Sequence, residues 1–274
     1  MNSKILVSVF DTEPKAFEGL SALKDLHREG DITVYATRVV VKDRAGVVAI
    51  RQATEEGPLG TLLGAVTGGL VGLIAGPAGA AMGASLGSLG WFTYDLSKAG
   101  VGVDFIEEIG ALLTPGRAAV IADVDETWVT PVNSRLRPLG AVTFRRLPGE
   151  VVDDQLTRES IAGEQELREL QAELRESSSE AKGQLRKSIE VQQHKLEATA
   201  DRIQKAIGEA DAEFEARLAT LRKQQAKAHA RQQARIAARI DELKASHEVR
   251  KAKLEDARRL AITSVPDVRE AFAA

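Results

Sequence analysis

Residues 5–26, ILVSVFDTEPKAFEGLSALKDL, have the pattern of a buried strand followed by an amphipathic helix. The apolar run from Ile5 to Phe10 predicts the strand. The segment DTEP, from Asp11, supplies capping side chains and a proline that a first helical turn tolerates. The next apolar residues are spaced three apart and share one helix face: Phe17, Leu20, Leu23 and Leu26. Gly30 is placed to end the helix.

The chain then continues with further strands and a second helix. Residues 31–42 and 47–52 are rich in β-branched side chains and predict a pair of strands joined as a hairpin. Residues 103–116 predict a helix, and residues 117–124 predict the strand after it. Residues 140–147 are a candidate for one more strand.

This βαββαβ order predicts the α+β class, with a ferredoxin-like antiparallel sheet that carries its helices on one face. The domain is split, because it comprises residues 1–56 and 95–149. Residues 57–94 interrupt it as a glycine-rich apolar helical hairpin. Residues 150–262 follow as a long coiled-coil-like helix, and residues 263–274 form a C-terminal tail.

The insertion contains no charged residue between positions 57 and 94, although charged residues make up 28% of the chain. Its glycines recur at a spacing of three or four, as in a glycine zipper: Gly60, Gly64, Gly68, Gly72, Gly76, Gly79, Gly83 and Gly87. A single helix over residues 59–92 would be about 50 Å long, which exceeds a hydrocarbon core of about 30 Å. We therefore expect a hairpin that turns near Pro77, with glycine ridges that let two helices approach closely.

Trp91 and Tyr94 follow the apolar run and have the amphipathic character favoured at a membrane–water interface. The N-terminal apolar run is shorter than the core of a signal peptide, which needs about 7–15 residues. We therefore expect the hairpin to be inserted from the cytoplasmic side of the inner membrane. The alternative is a cytoplasmic, soluble homo-oligomer, a filament or shell, in which the hairpins form a dry core.

The long polar segment carries a heptad seam that predicts helix packing and oligomerisation. Its apolar members are Ile189, Leu196, Ile203, Ile207, Phe214 and Leu221. The segment SSSEAKG, residues 177–183, is the expected position of a bend. We expect the partner of this seam to be a second copy of the chain, and a solvated single helix is the alternative.

A basic ridge follows the seam, with five cations spaced by four: Lys223, Lys227, Arg231, Arg235 and Arg239. A solvated face is the simplest interpretation of this ridge. As a binding surface it would suit an acidic helix such as residues 163–180, a partner protein or anionic lipid. Nucleic acid is not expected, because no aromatic residues interleave with the cations and the net charge is −3.

No catalytic, cofactor-binding or metal-binding pattern is found in the sequence. The chain has no cysteine, and its glycine-rich run lacks the Lys-Ser/Thr of a phosphate-binding loop. Acidic residues cluster at Asp11 and Glu13 and again at Asp123 to Glu126, which we expect at opposite ends of the sheet as strand-end and capping residues. These observations favour a non-enzymatic protein with no cofactor and no small-molecule substrate.

Residues 1–125 resemble a bacterial family of uncharacterised proteins of unknown function, described as membrane proteins, in which a glycine-zipper run interrupts a short α/β unit. The resemblance is carried by ILVSVFDTEPKAFEGLSALKDL, by residues 37–52, by the run at 60–87 and by FIEEIGALLTPGRAAVIADV at 105–124. The family has no assigned chemistry, so the resemblance transfers no functional residue. Together these features predict a membrane-associated, self-assembling scaffold; a tethering module that binds a partner through the basic helix is a further alternative.

Overall fold

The computed structural model describes residues 3–54, 59, 66–68, 103–146, 151–178 and 181–263. Most of the predicted apolar hairpin, including Trp91 and Tyr94, lies outside these ranges, as do the last eleven residues. Within the described ranges, no helix is both long enough and apolar enough to cross a membrane. The chain divides into two compact units: Met1–Val151 with Glu213–Lys244, and Val152–Ala212 with Ala245–Ala274.

The first unit is built on a five-stranded antiparallel sheet. Its strands are β1 (Ser3–Phe10), β2 (Ile32–Lys42), β3 (Val48–Thr54), β4 (Ala118–Glu126) and β5 (Val142–Arg146). Its helices are α1 (Glu13–Arg28), α2 (Val103–Leu112) and α3 (Thr130–Leu136), and a 3₁₀ turn follows at Arg137–Leu139. The strand order is β3-β2-β4-β1-β5, and every neighbouring pair is antiparallel.

The predicted α+β class is confirmed, and the inner strand order β5-β1-β4-β2 has the ferredoxin-like arrangement. The elements that fill it differ from those predicted, however. The third and fourth core strands are β4 and β5, the second core helix is α3, and β3 is an added edge strand. The physical reason is burial: β4 is buried at every position and therefore belongs at the centre, whereas residues 48–53 of β3 are exposed or only partly buried.

Helices cover both faces of the sheet, which corrects the expectation that they lie on one face. On the first face α1 packs Leu20, Leu23 and Leu26 against the sheet, while the predicted fourth member, Phe17, stays 36% exposed. On the second face the cover comes from α2 and from the helical segment 213–244. Both faces of the central strands are apolar, so each face needs a helical layer.

The C-terminal segment forms three helices rather than one: α4 (Val151–Glu176), α5 (Lys182–Lys227) and α6 (Ala230–Thr263). The first break falls at the predicted SSSEAKG segment. The second, at Ala228–His229, was not predicted, because no proline or glycine marks it. The basic ridge therefore does not lie on one continuous helix.

The heptad-seam residues pack within the chain; five are buried, and Phe214 is partly buried. In the second unit α4, α5 and α6 share one apolar cluster, formed by Leu156, Ile203, Ile207, Leu254 and Ala257. A neighbouring cluster joins Leu167, Ile189, Leu196, Ala200 and Ala261. In the first unit, Phe214 and Leu221 pack against the sheet. The chain's own elements thus occupy the surface for which a second copy was expected.

Gly19 gives a direct test of the packing between α1 and the sheet. A Cβ at Gly19 would lie 2.3 Å from the Phe10 ring, which is 1% exposed. Gly19→Ala should therefore lower the free energy of unfolding by about 1–3 kcal/mol, measured by chemical denaturation. Gly208→Ala is the matched control, because nothing lies within 4 Å of its added Cβ. It should stabilise α5 by about 1 kcal/mol, and equal effects of the two changes would contradict the packing.

Candidate functional site

Polar side chains interrupt the apolar second face of the sheet where β4 ends. Along this face, Ala119 and Ile121 are followed by Asp123 and Asp125 at every second position. Helical segment 213–244 covers these carboxylates and contributes polar side chains to them. We call the resulting group the polar cluster; its members are Ser3, Thr33, Tyr35, Asp123, Asp125, Arg217, Gln224 and Arg239, all at least 90% buried.

Arg217 of α5 and Asp123 of β4 form the centre of the polar cluster. Arg217 is 1% exposed and Asp123 is fully buried. Arg217 Nη2 donates to Asp123 Oδ2 at 2.7 Å, and its Nη1 donates to Ser3 Oγ at 2.8 Å. Ser3 Oγ in turn donates to Asp123 Oδ1 at 2.6 Å, while Arg217 Nε donates to Glu213 at 3.0 Å. The guanidinium also lies 4.5 Å from the centre of the Tyr35 ring, at a cation–π distance.

The charges of this pair depend on each other. Burial raises the pKa of Asp123, while the Arg217 cation and the Ser3 hydroxyl oppose that rise. Burial alone would lower the pKa of Arg217, but the carboxylates of Asp123 and Glu213 raise it above its usual range. Each nitrogen of the guanidinium already donates to a neighbour. This arrangement suits the attachment of a helix to a sheet better than proton transfer to a substrate.

A second group of contacts holds the helices to the turn between α1 and β2. Gln224 Nε2 donates to the carbonyl oxygens of His27 at 2.6 Å and Ile32 at 2.8 Å. Gln224 Oε1 accepts from Thr33 Oγ1 at 2.7 Å. Arg239 of α6 donates to the carbonyl oxygens of Asp31 at 2.6 Å and Gly30 at 3.3 Å. Both helices therefore bind main-chain acceptors of the same turn.

Asp125 and Arg239 are the least satisfied pair in the polar cluster. Their Oδ1 and Nε atoms lie 3.9 Å apart, and neither atom makes a hydrogen bond. Burial raises the pKa of Asp125, and Glu242 adds to that rise, whereas Arg239 opposes it. The attraction between the two side chains is thus present without the short contacts of the Arg217 pair.

The predicted basic ridge is divided by the turn at Ala228–His229. Lys223, Lys227 and Arg231 are exposed. Arg235 pairs with Asp31 at 3.0 Å, and Arg239 is buried in the polar cluster. Of the zipper glycines, Gly68 alone lies in the described ranges; it is exposed, and among the described residues none outside its own helix lies within 4 Å of a Cβ added there.

The two acidic clusters lie at opposite ends of the sheet, as predicted. In the β1–β4 register Phe10 pairs with Ala118 and Ser3 pairs with Asp125, so Asp11 and Asp123 are far apart. Asp123 and Asp125 lie in the last four residues of β4, as predicted for strand-end residues. Both are buried and face the cations Arg217 and Arg239, which was not predicted. No group of three or more metal-ligating side chains is found where the structure describes the chain.

Sequence reasoning missed Arg217, Gln224 and Arg239 as buried partners. A signal for two of them was present: the heptad series through Leu196 and Ile203 continues at Ala210, Arg217 and Gln224. A polar residue at a seam position is expected to be buried with a partner. Arg239 carried no such signal, since it formed part of an apparently exposed basic ridge.

A family model described as a protein of unknown function, DUF1269, matches residues 61–174. The match includes most of the apolar run, the elements from α2 to β5 and most of α4. It agrees with the predicted resemblance to an uncharacterised family, although that resemblance was placed at residues 1–125. Comparisons with curated proteins and with solved structures found no match.

The Arg217–Asp123 pair predicts a large effect of removing one partner. Arg217→Met would leave Asp123 buried without its cation, so the free energy of unfolding should fall by about 3–5 kcal/mol in urea denaturation. The double variant Arg217→Met/Asp123→Asn should recover a substantial part of this loss, because no uncompensated charge remains. Arg222→Met, at an exposed position one turn further along α5, should change stability by less than about 0.5 kcal/mol. A single Arg217 variant as stable as the parent would contradict the central role of this pair.

His27 predicts a pH dependence of stability. Its Nδ1 accepts a hydrogen bond from the Val34 amide at 3.1 Å, which requires the unprotonated ring nitrogen. Burial, followed by the charges of Arg239 and Lys227, lowers the pKa of His27 below its usual value of 6.5. The unfolded chain therefore takes up this proton more readily, and stability should fall as the pH drops through 6.5 towards the folded pKa. Denaturation midpoints recorded between pH 7.5 and 5 would measure the effect.

The control for this titration is the exposed His194. His27→Asn should reduce the pH dependence, because an amide oxygen can accept from Val34 without titrating. His194→Asn should leave it unchanged. Identical pH profiles for the His27 variant and the parent would show that the ring does not contribute in this way.

Proposed function

We propose that the protein is a non-enzymatic, membrane-associated scaffold in which the uncharged stretch between β3 and α2 contacts the bilayer. The α/β unit and the C-terminal helices remain on the cytoplasmic side of the inner membrane in this proposal. Self-assembly would use the glycine-rich stretch, since the heptad seam is occupied within the chain.

The observation that carries this proposal is where the two ends of the stretch are anchored. Leu59 and Val66 at its start, and Phe105 and Ile106 after it, are buried in the same apolar cluster on the second face of the sheet. The described residues before and after positions 69–102 therefore pack on the same face of the sheet. Two ends on one face suit a hairpin that enters a bilayer from one side.

The composition of residues 57–94 supports lipid as their surroundings. No charged side chain occurs from residue 57 to residue 94, and burying one at the centre of a bilayer would cost about 2.5–3.5 kcal/mol. Glycine costs about 1 kcal/mol relative to alanine in a helix in water, whereas in lipid small residues favour close helix contact. The composition is thus better matched to a membrane than to an exposed loop.

The buried ionisable groups support a scaffold rather than an enzyme. Arg217 of α5 donates to Asp123 of β4, and Arg239 of α6 donates to a carbonyl oxygen of the α1–β2 turn. The hydrogen-bonding atoms of these buried groups therefore hold α5 and α6 to the sheet and to that turn. A binding role for exposed cations near Ala228–His229 remains compatible with this scaffold, either for lipid or for a tethered partner.

A soluble homo-oligomer is the second candidate, and one observation favours it. Leu59 is 4% exposed and Val66 is fully buried, so these two residues of the apolar run pack within the protein. The remainder could pack likewise between copies, as the dry core of a filament or shell. The two candidates differ in whether detergent is needed to extract the full chain.

Membrane association predicts that the full chain pellets with membranes, resists carbonate extraction and enters solution with detergent. Leu73→Arg/Leu86→Arg places two charges in the uncharged stretch, and each should disfavour insertion by about 2.5–3.5 kcal/mol. We therefore expect this variant in the carbonate supernatant. Fractionation followed by immunoblotting provides the measurement.

The matched control adds the same charge at exposed positions, Ser21→Arg/Ala45→Arg, and should stay in the membrane fraction. Circular dichroism of each variant checks that the α/β unit and helices are folded. A full-length protein that remains in the carbonate supernatant as a particle of defined size would contradict membrane insertion and support the soluble homo-oligomer.

A further inference from the structure

Trp128 is a large aromatic residue in an unusual position. It lies in the turn between β4 and α3 and is 72% exposed, and the adjacent Val129 is 43% exposed. The chain has only two tryptophans, and a buried environment or an interface is the usual setting for such a side chain. An exposed Trp-Val pair in a short turn is therefore a candidate contact surface.

This turn lies at the end of the sheet where α2, the first described element after the uncharged stretch, begins. Glu126, the last residue of β4, pairs with Ile32, and Trp128 follows two residues later. The register places Ser3 of β1 opposite Asp125, and Arg146 of β5 opposite Ile5. Thus one end of the sheet carries the Trp128 turn, the start of β1 and the end of β5.

The start of α2 lies at that same end. Asp104 pairs with Arg146 at 3.1 Å, and the Arg146 guanidinium lies 5.1 Å from the centre of the Phe105 ring. β3 precedes the uncharged stretch in the sequence; it runs from Val48, opposite Lys42, to Thr54, opposite Thr37. Its direction is therefore towards the end that carries the Trp128 turn.

Two exposed cations, Lys227 and Arg231, lie near this end of the sheet. Gln232 Nε2 donates to the Glu29 carbonyl at 2.5 Å, which places the α5–α6 turn beside the α1–β2 turn. Lys227 and Arg231 flank that helix turn and are exposed. The acids closest along the chain already have partners, Glu29 with Arg135 and Asp31 with Arg235. The same end of the sheet thus carries an exposed apolar turn and two exposed cations.

We infer that the Trp128–Val129 turn lies in the headgroup region of an anionic bilayer, with Lys227 and Arg231 facing lipid phosphates. This inference rests on the proposed membrane association and adds the orientation of the α/β unit on the membrane. Tryptophan is favoured at the depth of the headgroups, and basic residues near an anionic surface each strengthen binding by about fivefold. The opposite end of the sheet, which carries the β2–β3 turn, faces away from the lipid.

The test uses the full chain with Trp91→Phe, so that Trp128 is the single tryptophan. The protein is reconstituted into vesicles of phosphatidylcholine and phosphatidylglycerol, and flotation shows whether it is bound. In floated vesicles we expect the Trp128 emission to shift to shorter wavelength. We also expect bromine-labelled lipids to quench it and aqueous iodide to lose access to it.

The control moves the single tryptophan to the other end of the sheet. Val47 lies in the β2–β3 turn and is 48% exposed, so Trp91→Phe/Trp128→Phe/Val47→Trp places an indole there. This indole should remain accessible to iodide and escape quenching by lipid. Lys227→Gln/Arg231→Gln should weaken the lipid quenching of Trp128 in the anionic vesicles and leave it unchanged in phosphatidylcholine alone.

The outcomes separate this inference from the proposed function. Protein that floats with Trp128 still open to iodide would overturn the orientation and leave membrane association standing. Equal lipid quenching at both ends of the sheet would also overturn it, since no end would then be preferred. Protein that does not float would overturn both.

Discussion

The ion pair between Arg217 and Asp123 is the constraint on which the second face of the sheet depends. Two opposite charges lie where both are almost completely excluded from water, and removing such groups from water costs several kcal/mol per ion. The short contacts between Arg217, Asp123 and Ser3 offset that cost only while α5 keeps one rotation and one position along the sheet. The pair therefore specifies where the helix sits, whereas the apolar contacts around it supply most of the attraction.

This constraint explains why a ferredoxin-like sheet here has a helical layer on each side. α1 and α3 bury aliphatic side chains on the first face. The second face ends in two carboxylates, so a purely apolar cover would leave Asp123 and Asp125 without partners. α5 and α6 provide both the apolar side chains and the cations, and the polar cluster thus determines which part of the C-terminal helices belongs to the first unit.

Local patterns in the sequence predicted local structure well. The residues from Ile5 to Leu26 formed the expected strand and helix, and the heptad seam marked the buried face of α5. The pairing of distant strands was harder to predict from the sequence, because the choice of β3 or β4 as the central strand depends on burial of both faces of the sheet. The break at Ala228–His229 was not predicted either: Gln224 and Gln232, on its two sides, bind the α1–β2 turn, and no local pattern reveals such long-range contacts.

The contacts with the α1–β2 turn have a consequence for how freely this sequence can vary. Gln224, Gln232 and Arg239 bind carbonyl oxygens, which every amino acid provides. The turn can therefore exchange many of its side chains without releasing the helices. Gly30 is the exception: its φ of +74° disfavours other residues, and an added Cβ would lie 3.2 Å from Gln232. A mutational scan of this turn should accordingly be permissive around one intolerant glycine, a profile that separates main-chain recognition from side-chain recognition.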